Sequence, residues 1–300
     1  MRIALILAIT GSGVQPAQLF SVLAFGGAYL SRVRTLARTS RAVPARRQAS
    51  FWLGIAALAI AWFSPLDAAA SDSLVAHTSV HMLIGQIAAF FIVLGLTAPL
   101  IQPLFKVPLF AKLRVLSHPL VALPFWLINL YLWHLPVLFD AALANDYLHV
   151  IEHGMFFIAG FNLWMALIGP MPQPRWFGNV AKLLYVVLAF FAMMILGNVL
   201  VWSGSVFYDS YNTTASHWGM TAVADQNVAG AVMMIIDSIF TLFLFAWLFM
   251  RWAREDIEAQ ELLEFGRERG VELSPERTAR AAAAGTGEHL RRRVEKTDVS

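Results

Sequence analysis

Seven apolar stretches run through this 300-residue chain, most of them about as long as a bilayer is thick. A helix rises about 1.5 Å per residue, so crossing a hydrocarbon core of about 30 Å takes roughly 20 apolar residues. The stretches cover residues 15–31, 51–64, 75–100, 119–138, 148–168, 183–202 and 226–250, the second being the shortest. Hydrophobic residues make up 58% of the chain and charged ones 14%, more apolar surface than a soluble core of this size can hide. In lipid each spanning segment must satisfy its own backbone polar groups, which leaves helices as the economical solution. The expectation is an all-α polytopic membrane bundle with seven transmembrane helices.

The charges between the stretches assign an orientation. The first loop carries Arg32, Arg34, Arg38, Arg41, Arg46 and Arg47, the third Lys106, Lys112 and Arg114, and the fifth Arg175 with Lys182 just beyond. The loops at 65–74, 139–147 and 203–225 hold no Lys or Arg but do hold Asp67, Asp72, Asp140, Asp146, Asp209 and Asp225. Eleven basic residues against none places the odd loops and the C-terminus in the cytoplasm and the N-terminus outside. This topology also accounts for the sequence pI near 9.4, so the basic balance does not argue for nucleic acid. The lipid bilayer is the implied environment.

Residues 1–14 read as an uncleaved external lead into the first span, residues 15–250 as the transmembrane domain, and 251–300 as a charged cytoplasmic tail. Residues 251–269 mix both charge signs and suggest a surface helix. The stretch 272–300, rich in Ala, Arg and Glu with Gly285 and Gly287 interrupting it, suggests disorder.

Five of the eight histidines gather at the external edge. His77 and His81 stand four residues apart, as do His149 and His153, and that spacing stacks each pair on one helix face. His134 follows Trp133 near the external end of the fourth segment. The chain has no cysteine, so thiolate ligands and disulfides are excluded. Imidazole suits copper, zinc and iron, and ionisable groups in membrane segments usually mark function. A metal site made by His77, His81, His134, His149 and His153 is therefore expected. Glu152, Asp225 and Asp67 would offset the positive ends of the helices. Met82 and Met155 adjoin the pairs and would favour Cu(I). His217, near Tyr208 and Tyr211, could cover the site, whereas His118 lies at the opposite face. Asp237, near mid-bilayer, would pair with a polar neighbour such as Asn129 or Asn162.

Three other readings compete. His149-Val150-Ile151-Glu152-His153 matches the H-x-x-E-H pattern of zinc proteases, with Glu152 as general base. A membrane zinc hydrolase would use it. Histidines on facing helices could also bind haem b, although no second layer of histidines appears at the other face. In the plainest reading the histidines are interfacial residues of a scaffold.

Several stretches together resemble the CtaG family of seven-helix membrane cytochrome c oxidase assembly factors. They are Ser64-Pro65-Leu66-Asp67, Ala76-His77 through His81, Leu132-Trp133-His134-Leu135-Pro136, Asp140-Ala141-Ala142, His149 through Glu152-His153, and Asp225-Gln226 with Ala229-Gly230 and Met233. The resemblance implies a bacterial plasma-membrane protein, not itself an enzyme. It implies a copper-handling role in maturing a haem–copper oxidase, with oxidase subunits and an external copper donor as partners. The five histidines would be its ligands, with Glu152 and Asp225 as polar support. One departure is Thr78, where the family usually carries methionine.

Overall fold

The computed structural model describes residues 16–213, 219–283 and 285–298, and among these it contains helices and turns but no strand. His217 and the N-terminal lead lie outside the described residues. Thirteen α-helices appear among the described residues. The first eight are α1 (Pro16–Leu36), α2 (Ala45–Phe63), α3 (Pro65–Ala69), α4 (Leu74–Gly95), α5 (Ala98–Ile101), α6 (Pro108–Leu113), α7 (Pro119–Trp133) and α8 (Pro136–Ala144). They are followed by α9 (Asp146–Ile168), α10 (Asn179–Trp202), α11 (Ala222–Glu268), α12 (Pro275–Ala283) and α13 (Gly287–Asp298).

Four of these, α4, α9, α10 and α11, are long and apolar enough to cross a membrane. A fifth is gained if Pro108–Ser117 and Pro119–Trp133, bent by 78° at their junction, count as one span. This is fewer than the seven expected. Arg32 and Arg34 interrupt the end of α1, and Arg46 and Arg47 occupy the start of α2. The fourth expected stretch breaks at His134, because Pro136 disfavours helical backbone at the residue before it. Leu135 is accordingly extended (φ −68°, ψ 127°) and α8 starts anew at Pro136.

The chain packs as two compact units, residues 1–177 with 187–239 and residues 178–186 with 240–300. In the larger unit α2 lies along α4, and α9 lies along both α7 and α4. Glycines let these backbones approach. A Cβ on Gly54 would fall 2.8 Å from the Ala88 carbonyl oxygen, and one on Gly95 would fall 2.7 Å from the Phe51 nitrogen. The basic end of α1 and α2 is pinned to α4 and α5. Tyr29 stacks on Phe51 with ring centroids 3.6 Å apart, its hydroxyl donates to the Gly95 carbonyl, and Arg32 donates to the Pro99 carbonyl.

In the smaller unit the described residues of the tail form α12 and α13. Leu262 of α11 packs with Leu273, Ala281 of α12, and Leu290 and Val294 of α13. Arg291 donates to Glu261 at 2.9 Å. A few apolar side chains at helical spacing are enough to close this small core, although charge dominates the overall composition.

Candidate metal centre

The first turn of α4 is fixed from both sides. Ser73 is its N-cap, its hydroxyl accepting from the Ala76 amide at 3.4 Å. Asp225 of α11 accepts from the Ser73 hydroxyl (2.8 Å) and from the amides of Leu74 (2.6 Å) and Val75 (3.3 Å). The carboxylate thus satisfies free donors of the first turn and opposes its partial positive charge. Asp225 acts here by positioning α4 as well as by offsetting its positive end.

One turn on, His77 and His81 project from α4, both buried. Directly after them the helix widens into a π segment, Met82–Ala88, a form often found at functional sites. On α9, Asn145 caps the start by accepting from the Tyr147 and Leu148 amides. His149, Glu152 and His153 then face α4. The approach is set by Gly160 of α9, whose Cα abuts the Gly85 carbonyl so closely that no Cβ could be accommodated.

The result is a convergence of donors. His77, His81, His149 and Glu152 each present a ligand atom within 4.8 Å of the other three. Glu152 Oε1 stands 3.9 Å from His77 Nε2 and 3.7 Å from His81 Nε2, beyond hydrogen-bond range. The His77 ring centroid is 4.3 Å from that of His81 and 5.5 Å from that of His149, nearly parallel to the latter. His153 flanks the group, its ring 4.3 Å from His149 and 5.2 Å from His81.

Eight buried polar atoms here have no hydrogen-bond partner: both nitrogens of His77 and His153, Nε2 of His81 and of His149, and both oxygens of Glu152. Each such atom typically costs about 1–3 kcal/mol. A stability of about 5–15 kcal/mol could not carry eight of them for nothing. A cation at the common focus would take up one lone pair each from His77, His81 and His149 together with the Glu152 carboxylate charge. Three imidazoles and a carboxylate suit zinc or copper, with copper the tighter divalent ion.

Glu152, expected as support, is therefore one of the converging donors. His134, His153, Asp67 and Asp225 are not in the converging set. His134 caps the end of α7, with Nδ1 2.7 Å from the Leu130 carbonyl oxygen, and it walls an adjoining cavity together with His81 and Met82. Met155 is not among those walls. Asp67 sits half-buried on α3. His118, at the start of α7, accepts from the Leu120 amide and is not part of the group. Asp237 pairs with Gln86 at 3.2 Å, not with Asn129 or Asn162. Asn162 instead accepts from Ser117 and donates to the Ile158 carbonyl.

Sequence reasoning assigns the cover over the centre to His217, which lies outside the described residues; the described part of that loop covers it with the two neighbouring tyrosines. Tyr208 and Tyr211 are almost wholly buried, 2% and 1% exposed. Tyr211 donates to the Ala70 carbonyl at 2.8 Å, and Tyr208 donates to the His134 carbonyl at 3.2 Å. Phe139 stacks on Tyr208 and lies 4.8 Å from the His77 ring. Gln226 ties the loop to α11 through Phe207 and Ser205. Burial pushes both phenols above their ordinary range, so they remain protonated donors.

Comparison with known proteins adds three findings. The family model for cytochrome c oxidase caa3 assembly factors matches residues 27–255. Uncharacterized proteins of Mycobacterium bovis and Mycobacterium tuberculosis are each 26% identical over 258 residues, 78% of this chain and 38% of theirs. An uncharacterized protein of Mycobacterium leprae is 24% identical over 143 residues, 47% of this chain and 22% of its own. The chain thus spans well under half the length of these curated relatives. No solved structure matches it.

Proposed function

Because the chain belongs to the family of cytochrome c oxidase caa3 assembly factors, we propose that it is a membrane copper chaperone serving such an oxidase. Copper is its cargo, held by His77, His81, His149 and Glu152. The observation that carries this reading is the focus of four donors whose buried lone pairs have no partner. The ion's charge would be offset by Glu152, and neutral imidazoles leave the site able to release it.

We place all seven segments across a bacterial plasma membrane, with the basic loops in the cytoplasm and the centre near the external face. Phe20 and Leu23 of α1 and Leu53 and Ile60 of α2 are exposed along helices too short of apolar length by composition alone, and lipid would cover them. Copper arriving from outside would then reach the centre without crossing the bilayer. The acidic external loops would attract a cationic donor protein and the ion itself. Oxidase subunits are the receiving partners.

The role is non-enzymatic. A hydrolase built on H-x-x-E-H needs Glu152 free as a base beside a pair of ligands on its own helix. Glu152 converges with imidazoles of both helices, which supports reading it as a ligand rather than as a base.

The test has two arms. Detergent-purified protein is loaded with copper or zinc and its bound metal counted, alongside a His77→Ala/His149→Ala variant. Cells lacking the protein are complemented with each form, and copper per oxidase is measured in their membranes. Stoichiometric metal at this histidine–carboxylate focus and metal-replete oxidase with the wild type, both lost with the variant, are expected. Normal oxidase copper with the variant would overturn the proposal.

A further inference from the structure

Next to the imidazole–carboxylate focus lies a cavity of about 30 Å³ with a different chemistry. Three buried methionines wall it from three helices, Met82 of α4, Met193 of α10 and Met233 of α11. His81 and His134 add imidazoles to its lining, and Thr78 and Gln86 are its other polar walls. We propose that this cavity is a second metal site, selective for Cu(I), formed by the thioethers of Met82, Met193 and Met233 with the His134 imidazole. It rests on the copper reading above and gives that cargo an inner station.

The tautomer of His134 supports this assignment. A carbonyl oxygen only accepts, so Nδ1, 2.7 Å from the Leu130 oxygen, carries the proton. Nε2 is then left with its lone pair, the arrangement in which a metal-binding imidazole is held by a backbone carbonyl on its other nitrogen. His81 connects the two sites. Its Nε2 stands 3.7 Å from Glu152 Oε1, and its side chain also walls the cavity.

Charge gives the selectivity. The desolvation cost of an ion grows with the square of its charge, so a dication in a dry cavity needs an anionic ligand. The outer focus has Glu152, whereas the thioethers and His134 are all neutral. A monovalent ion bears the smaller cost, and soft thioethers suit Cu(I) where magnesium takes oxygen ligands. Methionine is also a flexible filler of irregular cores, but filling would close the space these three leave between them. Passage from one site to the other is ligand exchange. A thioether lone pair replaces an imidazole lone pair on copper, which stays Cu(I), and no electron or proton need move.

The experiment compares three full-length proteins in detergent under anaerobic conditions: wild type, Met82→Leu/Met193→Leu/Met233→Leu, and His77→Ala/His149→Ala. Leucine conserves volume, so the methionine variant should melt within a few degrees of the wild type. Each is titrated with Cu(I) against a chromogenic chelator and separately with Zn(II), and copper X-ray absorption reports sulfur ligation. The wild type should take two Cu(I) but one Zn(II). The methionine variant should lose one Cu(I) and all sulfur scattering while keeping its Zn(II), and the histidine variant should keep only the sulfur-ligated Cu(I). If Cu(I) content and spectrum are unchanged in the methionine variant, the inner site is refuted and the outer one stands. If the histidine variant keeps all its metal while the methionine variant loses its copper, the outer site fails and the inner one stands. His134→Ala gives a second check, since it should weaken Cu(I) and leave Zn(II) intact.

Discussion

Gly160 of α9 and Gly85 of α4 meet backbone to backbone, with the Gly85 carbonyl filling the space where a Cβ on Gly160 would stand. This contact sets the spacing of the two helices that bring His77 and His81 to His149 and Glu152. Gly160→Ala should push α9 outward, costing about 1–3 kcal/mol from overpacking and abolishing metal binding even though no ligand is altered. Gly154, on the same helix, has open space around its Cα. Gly154→Ala should be neutral or stabilising by up to about 1 kcal/mol, since alanine is the better helix former. Thermal unfolding and metal counts on the pair separate close packing from a general effect of added bulk.

Glu152 has no exposed surface, and neither of its oxygens is hydrogen-bonded. A buried carboxylate without a partner destabilises the metal-free protein and stabilises the loaded one. Glu152→Gln should therefore raise the melting temperature of metal-free protein, by the equivalent of about 1–3 kcal/mol, and lower the affinity for a divalent ion. In the wild type, free copper at 100 times its dissociation constant should add about 2.7 kcal/mol of stability, which a chelator removes. The variant should show a much smaller copper response. A Glu152→Gln variant that melts lower than the wild type without metal would contradict this account.

The parts of the centre legible in the sequence were those set by local periodicity. His77 with His81 and His149 with His153 fall on common faces because a helix repeats every 3.6 residues. The chain could not announce which pair members would converge, because that depends on how α4 meets α9. The π segment after His81 and the glycine contact at Gly85 determine it. Asp225 looked like an acid near a metal, yet its carboxylate is occupied by a helix start about 150 residues earlier in the chain. His134 stands outside the converging set and lines the adjoining cavity, at the point where Pro136 ends α7 and the next helix begins. The tail's helices pack through a handful of residues such as Leu290 and Val294, about one helical turn apart, that bulk composition obscures.

Asp225→Ala tests the distinction between a ligand and a positioning residue. It removes the acceptor for Ser73 and for the Leu74 and Val75 amides, and should cost about 0.5–2 kcal/mol as a lost helix cap. With α4 free to fray, metal affinity should fall too. The X-ray absorption of the metal that still binds should match the wild type, because no first-coordination atom has changed. Asp225→Asn keeps one acceptor oxygen and should recover part of both losses. An altered coordination spectrum would make Asp225 a ligand after all.

Asp67 carries a pH dependence whose direction follows from its burial on α3, outside the spanning helices. Burial lifts its carboxyl from the ordinary value near 3.8 to about 6. Between those values the native protein holds a proton that the unfolded chain has released. Stability from this group is therefore greatest below about pH 4 and declines as the pH rises through 6. Because the side chain still reaches water, the full swing should be only about 1 kcal/mol after allowance for screening. Asp67→Asn cannot ionise, so the variant should gain on the wild type as pH rises and level off above about 7. Melting curves of both proteins from pH 4 to 8, in one detergent and without metal, measure the difference directly. A constant difference across that range would mean that Asp67 titrates as it does in water and that α3 does not shield it.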